Sequence, residues 1–106
     1  MRYDIAIVGS GPAGLSAAVN AKIRNKKIIL FGNENLSNKL QKAPEINNYL
    51  GFYEISGEEL KDKFKNHVDS LGIEITNHKI TNIYAMGDYF ALISGENMFE
   101  ATTVIL

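Results

Sequence analysis

The 106-residue chain contains no cysteine and no tryptophan, and only two of its residues are proline. Without cysteine the chain can form no disulfide, thiolate zinc site or dithiol redox pair of its own. Charge of either sign is not in excess, with 11 Lys and Arg against 12 Asp and Glu, whereas nucleic-acid and membrane-surface binders usually carry a basic excess. No apolar run is long enough for a signal peptide or a membrane span. We therefore expect a cytoplasmic protein that binds neither nucleic acid nor membranes.

The first 31 residues predict a strand, a helix and a second strand. Apolar residues follow one another without alternation from Ile5 to Val8, which is typical of a buried parallel strand. A helix is expected from Pro12 to about Arg24, with Asn25 as its stop, and "KKIILF" at 26–31 reads as a second buried strand. A right-handed crossover would join the two strands. The predicted fold class is α/β, with a Rossmann-like, doubly wound β-α-β unit.

The second half of the chain predicts one amphipathic helix followed by a small antiparallel β meander. Ser56 stands three residues before Glu59, which is a capping box, and Gly72 suits the position past the helix end. Four apolar residues share one face of this helix: Leu60, Phe64, Val68 and Leu71. Short β-rich runs follow, with turns at Gly87 and Gly95. The last run, "TTVIL", is strand-like up to the final residue, so we expect 1–106 to be the first part of a longer domain.

The clearest motif lies between the first strand and the first helix. Gly9, Gly11 and Gly14 have the GxGxxG spacing in the strand-to-helix context that this motif requires. In a dinucleotide site, Gly9 permits the tight turn, Gly11 lets a pyrophosphate approach the backbone, and Gly14 lets the helix pack close to the strand. Pro12 suits the first helical turn. The motif predicts a dinucleotide site at the helix N-terminus, and a turn that binds nothing is the alternative.

The residue that would bind the ribose is less clear. Dinucleotide sites usually carry an acid about 20 residues after the glycines, at the end of the second strand. Gly32 occupies that place, and Glu34 follows two residues later. Glu34 is either a displaced ribose ligand or an ordinary loop acid. The stretch from 32 to 56 has no regular periodicity, and a loop of this length in a compact domain is usually functional.

Three stretches together resemble a known family. "DIAIVGSGPAGLSAAVNA", "IILFGNENLSNKLQKAPEINNYLGF" and "ISGEELKDKFKNHVDSLGIEI" are similar to the N-terminal FAD-binding segment of low-molecular-weight thioredoxin reductases. The resemblance implies an FAD pyrophosphate cradle at Gly9, Ser10, Gly11, Pro12, Ala13 and Gly14. It places Asn48 and Gly51 of "NNYLG" beside the flavin, and it implies that His78, Lys79 and Ile80 run along the adenine.

The chain departs from the family pattern at three places. "SNKL" stands where the family usually has "GGQL", so Lys39, with Leu40 next to it, is expected near the flavin. Lys39 either stabilises a reduced flavin or points to solvent. Leu50 replaces a proline, and Gly32 replaces the strand-end acid, so Gly32, Asn33 and Glu34 are the candidates on the ribose side.

The resemblance also implies an activity for the full-length protein. FAD would relay electrons to the disulfide of a thioredoxin-like protein, in an enzyme that we expect to be a homodimer. Family members use a CxxC pair and a second GxGxxG in a nicotinamide domain, and neither is present in these 106 residues. NADPH could therefore act only through a domain outside this chain, the donor could instead be a reduced protein, and this segment alone is expected to be inactive. The alternatives are a non-catalytic FAD or adenine-dinucleotide binding module and a folded remnant with an empty cleft.

Overall fold

The computed structural model describes residues 1–33 and 43–106. Within these ranges the chain forms one mixed sheet and two helices. The elements are β1 (Arg2–Val8), α1 (Pro12–Ile23), β2 (Ile28–Phe31), α2 (Gly57–Ser70), β3 (Ile75–Thr76), β4 (Asn82–Ala85), β5 (Phe90–Ser94) and β6 (Asn97–Ile105). Neither of these helices has the length and apolar character needed to cross a membrane.

The sheet has the strand order β3-β2-β1-β6-β5-β4. Strands β3, β2, β1 and β6 are parallel, and β6, β5 and β4 form an antiparallel meander. The predicted α/β fold class is confirmed, because a β-α-β unit and a meander are both present. Strand β6 pairs with β1 over residues 100–105 and with β5 over residues 97–101, so the meander continues the parallel sheet instead of forming a second one.

The central strand β1 is buried on both faces, as its unbroken apolar run predicts. Consecutive residues of a strand point to opposite faces of the sheet. Ile7 accordingly packs in a core cluster with Leu15 of α1 and Val68 of α2. Its neighbour Ala6 packs in a second cluster with Phe31 and Leu92 on the other face. Both α1 and α2 therefore contribute to the same layer of the core.

Both helices have the bounds that their sequence signals predict, to within one residue. Helix α1 begins at Pro12 and ends at Ile23, and Asn25 follows in the left-handed region with φ +60°. Helix α2 begins after Ser56, whose Oγ accepts a hydrogen bond from the Glu59 N–H at 3.1 Å. This contact satisfies one of the amide groups that a helix start leaves without an internal partner.

Candidate functional site

The glycine turn lies at the carboxyl end of β1, next to the carboxyl end of β2. The Gly9 N–H donates to the Phe31 carbonyl oxygen at 2.9 Å, which continues the pairing of the two strands. Gly9 then has φ +125°, a conformation that L side chains rarely adopt. The backbone leaves the sheet at this residue, so the fold itself requires glycine here.

Gly14 holds α1 close to this turn. A Cβ built on Gly14 would lie 1.9 Å from the Gly9 carbonyl oxygen and 2.9 Å from the Gly9 carbonyl carbon. The obstacle is main chain, which cannot move aside as a flexible side chain can. The first turn of the helix can therefore reach the strand end only because position 14 has no side chain.

Gly11 differs from both, because no part of the chain that the structure describes requires glycine there. Its φ is −74°, which any residue can adopt, and among residues 1–33 and 43–106 none beyond its chain neighbours lies within 4 Å of a Cβ built on it. Gly11 is the N-cap of α1, it has no side chain with which to cap the helix, and no acidic residue stands in the first turn. The positive end of the helix is an environment that suits an anionic group.

Ser10 connects the glycine turn to the end of β2. Its side chain is buried, with 8% exposure, and its Oγ donates to the Asn33 carbonyl oxygen at 3.2 Å and accepts from the Asn33 N–H at 3.1 Å. A Cβ on Gly32 would lie 2.3 Å from the Ser10 Oγ, so the two residues share a space that holds only one side chain. The sequence shows that position 32 lacks the usual acid. The structure gives a reason, because the Ser10 side chain occupies the space that a side chain at position 32 would need.

An open cleft of about 350 Å³ lies beside the turn. Its lining comes from the ends of two parallel strands, β1 and β2, the residues that follow them, and the segment after β3: Val8, Gly9, Phe31, Gly32, Asn33, Asn77, His78, Lys79 and Ile80. The His78 N–H donates to the Thr76 carbonyl oxygen at 2.9 Å, and the His78 ring lies 5.5 Å from the Phe99 ring. The exposed Lys79 brings a positive charge to the cleft. The structure therefore brings the three residues predicted for the adenine next to Gly9 and Gly32.

Sequence reasoning missed Asn77 in this lining. Nothing in the local pattern distinguishes Asn77 from other loop asparagines. Its position follows from the pairing of Thr76 with Phe31, which puts the end of β3 beside the end of β2. Only a prediction of that strand pairing would have identified it.

The segment predicted to lie beside the flavin forms a separate hairpin. Ile46 pairs with Ile55 and Tyr49 pairs with Phe52, and the Asn47 side-chain oxygen accepts from the Glu54 N–H at 2.7 Å. The Tyr49 ring lies 5.4 Å from the Phe64 ring of α2, which ties the hairpin to the helix.

Asn48 is exposed at this hairpin and does not line the cleft at Gly9. Gly51 has φ +95° in the hairpin turn. The predictions for Glu34, Lys39 and Leu40 lie outside the described residues. In residues 1–33 and 43–106, no group of three or more His, Cys, Asp or Glu side chains is arranged to hold a metal ion.

These features together define a class of protein. Parallel strands around β1, a glycine turn that opens a helix, and a cleft at the carboxyl ends of the strands are the features of the dinucleotide-binding α/β fold. The model of one family in this class, the pyridine nucleotide-disulphide oxidoreductases, matches residues 3–84, and the chain belongs to that family. The resemblance found from the sequence motifs is confirmed.

Individual relatives agree with this assignment. A ferredoxin-flavin thioredoxin reductase from Clostridium acetobutylicum is 65% identical, and its crystal structure matches 98% of this chain with a TM-score of 0.96. The crystal structure of Lactococcus lactis thioredoxin reductase is 32% identical with a TM-score of 0.87 and matches 96% of this chain. The thioredoxin reductase of Bacillus subtilis is 29% identical over 98% of the chain. The chain spans only about a third of each of these proteins, namely 36%, 34% and 33% of their lengths.

Proposed function

We propose that residues 1–106 form the first part of an FAD-binding domain in a thioredoxin reductase-like oxidoreductase. The observation that carries this proposal is the space at Gly11. None of the described residues makes glycine necessary at this position, and the missing side chain leaves the first amides of α1 without a capping group from Gly11. A pyrophosphate carries the negative charge that a helix N-terminus favours. When bound, FAD supplies the redox chemistry, and the protein supplies binding and orientation.

Three groups of residues would contact three parts of the proposed ligand. The main-chain amides between Gly9 and Gly14 would hold the pyrophosphate. The strand end at Gly32 and Asn33 and the segment from His78 to Ile80 would hold the adenosine, because they line one cleft beside the glycine turn. The resemblance assigns Asn48, Lys39 and Leu40 to the flavin side, and the spacing after the glycine motif makes Glu34 a candidate for the ribose.

We also propose that the full-length protein receives electrons from a reduced ferredoxin and passes them to a thioredoxin-type disulfide. The support is the difference in identity between two kinds of relative. The ferredoxin-flavin thioredoxin reductase is 65% identical to this chain, whereas the thioredoxin reductases of B. subtilis and L. lactis are 29% and 32% identical. NADPH is the alternative donor.

The test uses the protein expressed from its full reading frame. We expect it to show flavin absorbance after purification, or after FAD is added. Under anaerobic conditions, reduced ferredoxin should bleach this absorbance, and thioredoxin disulfide should restore it as thiols appear. Bleaching by NADPH and not by ferredoxin would contradict the proposed donor.

Two other results would contradict the proposed enzyme. A protein that binds FAD but transfers no electrons to a disulfide from either donor would be a non-catalytic binding module. A folded protein that binds no FAD would be a remnant with an empty cleft.

A further inference from the structure

After the main chain of β1 leaves the sheet, the Ser10 side chain makes the hydrogen bonds that the next residue of a parallel strand would make. The main chain of β1 pairs with β2 up to the hydrogen bond between Gly9 and Phe31 and then leaves the sheet. One residue later, the Ser10 hydroxyl contacts both the N–H and the carbonyl oxygen of Asn33. A parallel strand would supply a donor and an acceptor in the same way. The hydroxyl therefore ties the β2 end to the glycine turn across 23 residues of sequence.

Ser10 also excludes any side chain at position 32. A Cβ on Gly32 would lie 2.3 Å from the Ser10 Oγ and 2.4 Å from the Ser10 Cβ, and both distances are shorter than real contacts of this kind. Position 32 directly follows β2, where dinucleotide sites usually place the acid that holds a ribose hydroxyl. The buried serine and the strand-end acid are therefore mutually exclusive in this backbone.

We infer that Ser10 is a positioning residue for the adenosine diphosphate part of the ligand. Its hydroxyl fixes the main chain of Gly32 and Asn33, which forms one wall of the cleft, and no carboxylate at position 32 contacts the ribose. The inference rests on the proposed function, because it assigns a role within the same cleft. It goes further by naming which protein atoms shape the adenosine side and which usual contact is missing.

The first experiment removes the hydroxyl. Ser10→Ala removes both hydrogen bonds to Asn33 and should weaken binding of FAD and of ADP about fivefold. Binding of inorganic pyrophosphate, which has no adenosine, should not change. Ser16→Ala is the matched control, since Ser16 is an exposed serine of α1 that does not line the cleft, and it should bind all three ligands as the wild type does.

The results distinguish a failure of the Ser10 role from a failure of the proposed function. If the wild type binds FAD, and Ser10→Ala binds both FAD and ADP as tightly as the wild type does, the role of Ser10 is wrong and the proposed function stands. An equal loss for pyrophosphate and ADP would mean that Ser10 supports the whole turn, which would also overturn the inference. A wild type that binds neither FAD nor ADP would refute the proposed function, and the role of Ser10 would fail with it.

The second experiment tests the shared space without any ligand. Gly32→Ala should lower the denaturant midpoint of the flavin-free protein, because the new methyl group collides with Ser10. Adding Ser10→Gly removes both of the closest atoms, so the double variant should regain the midpoint of Ser10→Gly alone. A Gly32→Ala variant as stable as the wild type, or a double variant with a midpoint clearly below that of Ser10→Gly alone, would refute the exclusion.

Discussion

The same added methyl group should change a different property of the protein at each of two glycines in the motif. Gly11→Ala places its Cβ where no described residue beyond its chain neighbours lies within 4 Å, with a φ of −74°. Gly14→Ala places its Cβ 1.9 Å from a backbone oxygen. We therefore expect Gly11→Ala to affect ligand binding and Gly14→Ala to affect folding.

The magnitudes follow from these contacts. For Gly11→Ala, the lower entropy of the unfolded chain stabilises by about 0.4–1 kcal/mol, and the poorer N-cap costs a similar amount, so the free energy of unfolding should change by less than about 0.5 kcal/mol. The methyl group would displace a phosphate from one amide, a loss of about 1.5–3 kcal/mol, or roughly 10- to 150-fold in FAD affinity. For Gly14→Ala, the helix must move by about 1 Å, and overpacking of this kind costs about 3 kcal/mol.

The assay measures both quantities on each variant of the protein expressed from its full reading frame. Denaturant unfolding of the flavin-free protein gives the free energy of unfolding, and quenching of flavin fluorescence gives the FAD affinity. The reasoning is refuted if Gly11→Ala binds FAD like the wild type, or if Gly14→Ala unfolds at the wild-type midpoint.

Three further changes test other parts of the structure by denaturant unfolding. Ser56→Ala should cost about 1 kcal/mol, because the N–H of Glu59 loses its cap, and a loss of less than about 0.3 kcal/mol would contradict the role of this contact. Phe31→Ala should cost about 3–5 kcal/mol, since Phe31 is 1% exposed and its ring lies edge-on to Phe99 at 4.9 Å; a cost under about 2 kcal/mol would show that the core relaxes around the cavity. Arg2→Ala should cost no more than about 1 kcal/mol, because both of its 3.8 Å ion pairs are partly exposed, and a larger loss that persists in high salt would refute this estimate.

Local sequence signals predicted the elements and the position of the glycine turn. The unbroken run from Ile5 to Val8 indicated a strand buried on both faces, and the structure has it at the centre of the sheet. Ser56 and Gly72 bracketed α2 to within one residue. These signals are reliable because they depend on contacts between residues a few positions apart.

Contacts between distant parts of the chain could not be predicted from local sequence signals. The two pairings of β6 depend on where β1 and β5 lie, so the antiparallel runs gave no sign that they continue the parallel sheet. Asn77 reaches the cleft only through the pairing of β3 with β2. The role of Gly51 in a hairpin turn likewise became visible only with its φ of +95°.

The GxGxxG spacing by itself determined that a turn and a helix start lie at the end of β1, because glycine permits backbone conformations that other residues avoid. The motif assigned purposes to Gly9, Gly11 and Gly14, but only the tertiary structure decided which glycines the fold itself requires. Gly9 and Gly14 are required by the fold, no described residue requires Gly11, and Gly32 is required by the Ser10 side chain. The physical reason is that a steric requirement depends on the atoms that a Cβ would meet, and for Gly32 those atoms belong to a residue 22 positions away in the sequence.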